Sequence, residues 1–292
     1  MPIALVRRAI PFLWDQYSRE RANPVREPVH RPRPQAWGDK GLHAAWLGHS
    51  TVLLKIDGVT VLTDPVFSNR IGLSLGVATV GPRRLVAPAL LAGEFATPDI
   101  VLISHAHMDH FDIPSLRALE SPQTRVVTAW RTSDLLRVKR YGAVQELRWG
   151  DSTRIGEVTV RAFEVNHWGA RMQSDTYRGY NGYVIETPRH RVIFGGDTAI
   201  TDSFRRVRTS RAVDLALMPV GAYNPWLRAH CTPEQALRMA DDAGAEQILP
   251  IHHQTFQLSR EPYFEPIERL AAALGNRQER LALSGIGEEV HI

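Results

Sequence analysis

The chain of 292 residues is poor in three things. It has one cysteine, Cys231, and only three lysines, Lys40, Lys55 and Lys139. No stretch offers the roughly 18 uninterrupted apolar residues that a membrane-spanning helix needs. A single cysteine excludes an intrachain disulfide framework and a thiolate-rich zinc knuckle, so any bound metal has to be held by histidine and carboxylate. The shortage of lysine leaves arginine as the main carrier of a net charge of +4. These arginines are scattered, which reads as a solvated surface and argues against a nucleic-acid groove. The longest apolar stretch, 71–92, is broken by Gly81, Pro82, Arg83 and Arg84. The opening run, 3–14, carries Arg7 and Arg8 in its middle with no small-residue cleavage site behind it, so it makes a poor secretory signal. A cytoplasmic protein is expected, long enough to bury a core without covalent staples.

Residues 1–40 form an arginine- and proline-rich arm, with Arg7, Arg8, Arg19, Arg21, Arg26, Arg31 and Arg33 interleaved with Pro24, Pro28, Pro32 and Pro34. Such a segment buries little. Two roles stand open for it. It can strap the domain, or its start, with Phe12 and Trp14, can rest peripherally on the anionic inner surface of a membrane. From residue 41 onward a single domain is expected. Alternating apolar runs and turn signals predict strands at 43–48, 52–57, 59–63, 99–104, 125–128, 158–165, 181–186, 191–195, 214–219 and 247–251. Helices are predicted at 113–120, 131–140, 233–243 and 264–274. The third has explicit punctuation: Thr232 as cap, Pro233 in the first turn, Gln235 to complete a capping box and Gly244 as the stop. Elements in this order suggest an α/β architecture of two mixed sheets packed face to face with helices outside, an αββα sandwich.

The segment that carries chemistry runs Ile100-Val-Leu-Ile-Ser-His105-Ala-His107-Met-Asp109-His110. A buried strand ends at Ser104, and the next six residues hold three imidazoles and a carboxylate. A turn can splay such neighbours around one centre where a regular strand or helix could not. Imidazole nitrogen and carboxylate oxygen are donors that borderline divalent metals accept. The segment offers more donors than one tetrahedral metal with an open place can take, so partners are expected at other strand ends. His167, Asp197 and the pair His252 and His253 each follow a predicted strand.

With its complete His-x-His-x-Asp-His at 105–110, the sequence resembles the metallo-β-lactamase superfamily. The resemblance covers about 42–292 and narrows to the branch of N-acylphosphatidylethanolamine-hydrolysing phospholipase D and its bacterial relatives. It is carried by Trp46-Leu-Gly-His-Ser-Thr51, Leu62-Thr-Asp-Pro-Val-Phe-Ser68, Gly81-Pro-Arg-Arg84, Gly196-Asp-Thr198, Met218-Pro-Val-Gly-Ala-Tyr223, His230-Cys-Thr-Pro-Glu-Gln-Ala236 and Pro250-Ile-His-His-Gln-Thr-Phe256. It implies a binuclear centre: His105, His107 and His167 on one metal, Asp109, His110 and His252 on the other, Asp197 between them. Zinc is the expected metal, with manganese and iron as alternatives. Asp64 matches an aspartate that supports the histidine loop by hydrogen bonds, and His49 can act likewise or be a satisfied structural histidine. Of the adjacent pair, His252 is taken as the ligand. His253 and Gln254 stand where the relatives usually have tryptophan and glycine, which puts the neighbouring pocket wall in doubt.

Two divalent ions would lower the pKa of a shared water to roughly 7, giving a bridging hydroxide at neutral pH, and Asp109 would orient it. The resemblance favours a phosphodiesterase of phospholipase D type acting on N-acylphosphatidylethanolamine or a related glycerophospholipid. His230 is expected to serve as acid or hydrogen-bond donor near the leaving group, with Tyr223 lining the pocket, and Cys231 as structural. The apolar 71–80 segment is either a lip for acyl chains or a covering loop. A lactonase for a small sugar-derived or phosphorylated lactone is the second possibility. A nuclease ranks third, since this chain has no room for the usual RNA-binding insertion. A metal-binding scaffold without catalysis is a fourth, opposed by the complete donor set.

Overall fold

A computed structural model describes residues 24–74 and 79–292. The arm residues 3–14 and part of the expected lip, 75–78, lie outside the described residues. Fifteen strands are described, all but two of them in two large sheets. The first sheet takes β1 (Leu42–Gly48), β2 (Thr51–Ile56), β3 (Val59–Thr63), β6 (Ile100–Ile103), β7 (Arg125–Ala129), β8 (Ala143–Leu147) and β15 (Glu289–His291), in the order β15-β1-β2-β3-β6-β7-β8. The second takes β9 (Ser152–Ile155), β10 (Val158–Phe163), β11 (Gly182–Glu186), β12 (Arg191–Phe194), β13 (Val213–Pro219) and β14 (Ala245–Ile251), in the order β14-β13-β12-β11-β10-β9. A hairpin of β4 (Leu73–Ser74) and β5 (Thr79–Val80) stands apart. Both large sheets are mixed: β3-β6-β7-β8 and β12-β13-β14 pair in parallel, and the other neighbours are antiparallel.

Side-chain alternation along the second sheet explains the layering. Leu215 and Leu217 of β13, Val192 and Phe194 of β12, and Leu249 and Ile251 of β14 face the first sheet in the main core. Their neighbours Ala216, Met218, Ile193 and Ile248 point the other way. There they meet Leu237, Met239 and Ala240 of α3 (Pro233–Ala243) and Leu270 and Leu274 of α4 (Glu265–Leu274). The predicted capping box is present, with Gln235 N donating to Thr232 Oγ1 and Thr232 N to Gln235 Oε1, and Gly244 ends the helix at φ 78°. Two shorter helices are also found among the described residues, α1 (Ile113–Ala118) and α2 (Ser203–Arg206).

The structure corrects one predicted helix. Residues 131–140 form two single 3₁₀ turns, Ser133–Leu135 and Val138–Arg140, separated by Leu136 in extended backbone at φ −98°, ψ 155°. The Glu146 carboxylate accepts the N–H groups of Arg131, Thr132 and Ser133 at 2.8–3.0 Å, and Asp134 is tied to Arg178. Side chains outside the segment thus hold its first turn and Asp134 in place of a continuous helix. Strands β8, β9 and β15 escaped the sequence pattern because they are short, polar or at a sheet edge.

Residues 24–40 lie against the sandwich. Arg26 N donates to Leu85 O and Arg26 O accepts from Ala87 N, while the Arg26 guanidinium sits 4.4 Å from the Tyr263 ring centre. Trp37 is buried, and its indole N–H donates to Glu289. Among the described residues no helix is long and apolar enough to cross a membrane.

Candidate metal centre

Strand directions decide where the chemistry gathers. In the first sheet β1, β3 and β6 run the same way, and in the second β10, β12, β13 and β14 do. Their C-terminal ends deliver His49, Asp64, the 105–110 loop, His167, Asp197 and His252 to one edge of the sandwich. Several exits turn sharply: His49, Asp64 and His252 have φ of 53°, 30° and 63°. Non-glycine residues rarely adopt positive φ, and they hold it where surrounding structure enforces it. A backbone bond from His252 N to His49 O, 3.0 Å, stitches the two sheets together at this edge.

The donor atoms form two groups that meet at one oxygen. His105 Nε2 and His167 Nε2 lie 2.8 and 3.3 Å from His107 Nδ1, and His167 Nε2 is 3.7 Å from Asp197 Oδ2. On the other side His110 Nε2 and His252 Nε2 lie 3.1 and 3.2 Å from the same Asp197 oxygen, and 3.6 and 3.5 Å from Asp109 Oδ2. His49 Nε2 adds a contact of 3.2 Å to Asp109 Oδ2. Donors of His105, His107, His167 and Asp197 all fall within 4.8 Å of one another, and so do those of His49, Asp109, His110 and His252.

Further hydrogen bonds aim the rings. Asp64, fully buried, accepts from Ser104 N at 2.7 Å, Ser104 Oγ at 2.5 Å and His110 Nδ1 at 2.6 Å. The His110 proton therefore sits on Nδ1, and Nε2 is left facing Asp197. His167 Nδ1 donates to Ala229 O at 2.9 Å, turning its Nε2 inward in the same way. Such partners fix both tautomer and ring orientation.

The donor set fits a divalent metal on chemical grounds. His110 Nε2, both ring nitrogens of His252 and Asp197 Oδ1 are buried without a hydrogen-bond partner, and unsatisfied buried polar atoms are rare in folded proteins. Burial alone would depress the His252 ring, yet Asp197 and Asp109 lift it to about 9. Burial likewise opposes the charged forms of Asp109 and Asp197, yet His110 holds both well below the usual carboxylate range. Two carboxylates removed from water demand compensating positive charge, which protonated His110 and His252 supply here and which a divalent ion would supply in exchange for their Nε2 protons. That combination suits His/Asp coordination of a borderline divalent ion.

His230 joins this edge. Its ring centre is 5.2 Å from that of His167 and 5.3 Å from that of His252, its Nδ1 is 3.8 Å from Asp197 Oδ2, and burial pushes it down to about 4. Tyr223 is different. Its hydroxyl donates to Glu265 of α4 at 2.6 Å, and Arg269 covers its ring, so that proton is engaged outside the donor cluster. His253 stacks on Trp46 at 4.5 Å with an interplanar angle of 24°, away from the donors that His252 faces. Cys231 is buried, its Sγ 3.2 Å from Pro219 O, with the thiol raised by burial. The sequence did not single out Arg171, whose guanidinium donates to Ala106 O and Phe111 O, or Trp168, whose half-exposed ring lies against His107 and His167. Both follow His167 in its loop, which was their only signal.

A two-sheet sandwich with imidazoles and carboxylates converging at one edge defines a class of metal-dependent hydrolases. Residues 59–253 match the family model described as Beta-lactamase superfamily domain. An uncharacterised protein of Mycobacterium tuberculosis is 35% identical over 290 residues, covering 96% of this chain and 77% of its own. N-acyl-phosphatidylethanolamine-hydrolyzing phospholipase D 1 of Caenorhabditis elegans is 28% identical over 271 residues, 86% of this chain and 75% of that one. Among solved structures, isothiocyanate hydrolase from Delia radicum gut bacteria shares the fold with a TM-score of 0.68 at 17% identity, covering 86% of this chain and 98% of that one. The chain belongs to the beta-lactamase superfamily, with the metallo-β-lactamase fold, and is a metal-dependent hydrolase of it.

Proposed function

We propose that the protein is a binuclear phosphodiesterase of phospholipase D type, acting on N-acylphosphatidylethanolamine or a related glycerophospholipid. The observation that carries the binuclear part is the shared Asp197 oxygen between two donor groups. His105, His107 and His167 would hold one ion and Asp109, His110 and His252 the other, with Asp197 common to both. The substrate part is supported by the likeness to the nematode phospholipase D over most of the chain. Zinc suits the donors best, and manganese and iron share the same donor chemistry.

Two bound divalent ions would supply an activated water and neutralise charge building on a phosphoryl oxygen. The protein's own groups do the rest. Asp109, held ionised, accepts a hydrogen bond from the attacking water and orients it, and His49 fixes the Asp109 carboxylate from behind. Asp64 keeps the His110 proton on Nδ1. His230, neutral at pH 7, donates a hydrogen bond toward the leaving group. Glu265 holds the Tyr223 hydroxyl, so in this reading Tyr223 contributes as part of the pocket wall and moves no proton.

The test is purified protein assayed for bound metal, then offered liposomal N-acylphosphatidylethanolamine, a bis-aryl phosphodiester and a panel of lactones. Cleavage of the first two, abolished in Asp109→Asn, is expected. Lactone turnover without phosphodiester cleavage would overturn the proposal.

A further inference from the structure

We infer that Arg171 is a positioning residue that locks the two histidine-bearing loops together and so sets the affinity of the three-histidine metal position. The inference rests on the metal centre proposed above. Arg171 Nη1 donates to two backbone carbonyls, Ala106 O at 3.0 Å and Phe111 O at 2.8 Å. These carbonyls bracket His107, Asp109 and His110, with Ala106 itself between His105 and His107. Neither carbonyl has another hydrogen-bond donor among the described residues. One guanidinium nitrogen therefore holds both ends of the histidine turn, a segment outside any strand or helix.

Arg171 can brace that turn because its own loop is anchored on both sides. At the His167 end, Asn166 N donates to Thr198 Oγ1 and Asn166 O accepts from Ala199 N. At the far end, Arg178 binds Asp134 with two nitrogens, at 2.5 and 2.9 Å, and Asp175 with a third, at 2.6 Å. Gly179 N donates to Trp130 O at 2.7 Å. Gly169 sits so close to this end that an added Cβ would fall 2.3 Å from Gly179 O. His167 thus reaches the centre from a fixed loop, and Arg171, four residues on, ties that loop to the one carrying His105 and His107. The guanidinium touches no donor atom. It acts through the backbone, as outer partners of metal ligands do.

Chelator competition with zinc, together with the visible spectrum of the cobalt(II)-substituted protein, tests this on wild type, Arg171→Ala and Arg171→Lys. In the alanine variant affinity at the three-histidine position should fall by about 10–100-fold, with a changed cobalt spectrum. The lysine variant, which keeps a multiple N–H donor, should recover most of both. Affinity within about twofold of wild type and an unchanged spectrum in Arg171→Ala would overturn the inference, as would a lysine variant as weak as the alanine one. If Arg171→Ala does not fold, Arg171→Gln, whose side chain is too short to bring an N–H to both carbonyls, takes its place, and wild-type affinity with a wild-type spectrum in Arg171→Lys but not in Arg171→Gln supports the brace, whereas equal values in both overturn it. Wild-type protein that binds no divalent metal would instead defeat the proposed metal centre, so the two failures are separable.

Discussion

His252 and His253 are neighbours in sequence with opposite roles. The first turns into the donor cluster at positive φ, and the second packs on Trp46. His252→Ala should therefore lose one of the two metals, while His253→Phe, which keeps a ring against Trp46, should retain both; metal analysis of the two proteins distinguishes them. His230 groups with Asp197 and His252 within 4.8 Å but belongs to neither of the two groups that meet at Asp197. It acts as a hydrogen-bond donor and not as a ligand, so His230→Ala should keep its metals and lose about 10²-fold in kcat. Turnover within about threefold of wild type would remove His230 from the mechanism. At this scale the sequence was most legible where donors are dense, from His105 to His110, because no ordinary loop concentrates such side chains. It was least legible where a partner is remote: nothing near Tyr223 in sequence announces Glu265, 42 positions away, and nothing marks Arg171 among scattered arginines.

At the scale of elements, the helix α3 was readable to the residue because its start and stop are written locally in Thr232, Pro233, Gln235 and Gly244. Segment 131–140 was misread because the N–H groups of Arg131, Thr132 and Ser133 go to Glu146, a choice that local periodicity does not encode. Buried strands of alternating or continuous apolar character were also plain, whereas short edge strands such as β15 were not. The cap on α3 leads to a modest prediction. Thr232→Ala should cost about 1 kcal/mol, lowering Tm by about 2–4 °C for a chain of this size. Metal content should be unchanged, since the cap bonds lie within the helix start; thermal melting with metal analysis checks both.

For the whole molecule, the two sheets are held at both edges by different means. At the metal edge the imidazole and carboxylate cluster joins them. At the opposite edge Asp57, in the β2–β3 turn, accepts from Thr187 Oγ1 at 2.6 Å and from two nitrogens of Arg189 at 2.5 and 2.9 Å, in the β11–β12 turn. Burial opposes ionisation of Asp57, but Thr187 and Arg189 outweigh it and its pKa is lowered. A carboxylate with a lowered folded pKa contributes stability that is present above the unfolded value and lost as pH falls through the folded one. Wild type should thus be more stable than Asp57→Asn at pH 7, and the gap should close below about pH 4. Denaturant midpoints across that range read it directly; a gap that widens on acidification would contradict the clasp.

The central claim is that one oxygen of Asp197 joins two metal positions, and metal stoichiometry measures this most directly. Elemental analysis of the purified protein after equilibration with zinc should find two ions per chain in wild type and fewer in Asp197→Ala, with phosphodiester cleavage lost alongside. A wild-type chain that never holds more than one ion, or an Asp197→Ala chain that keeps two, would contradict it.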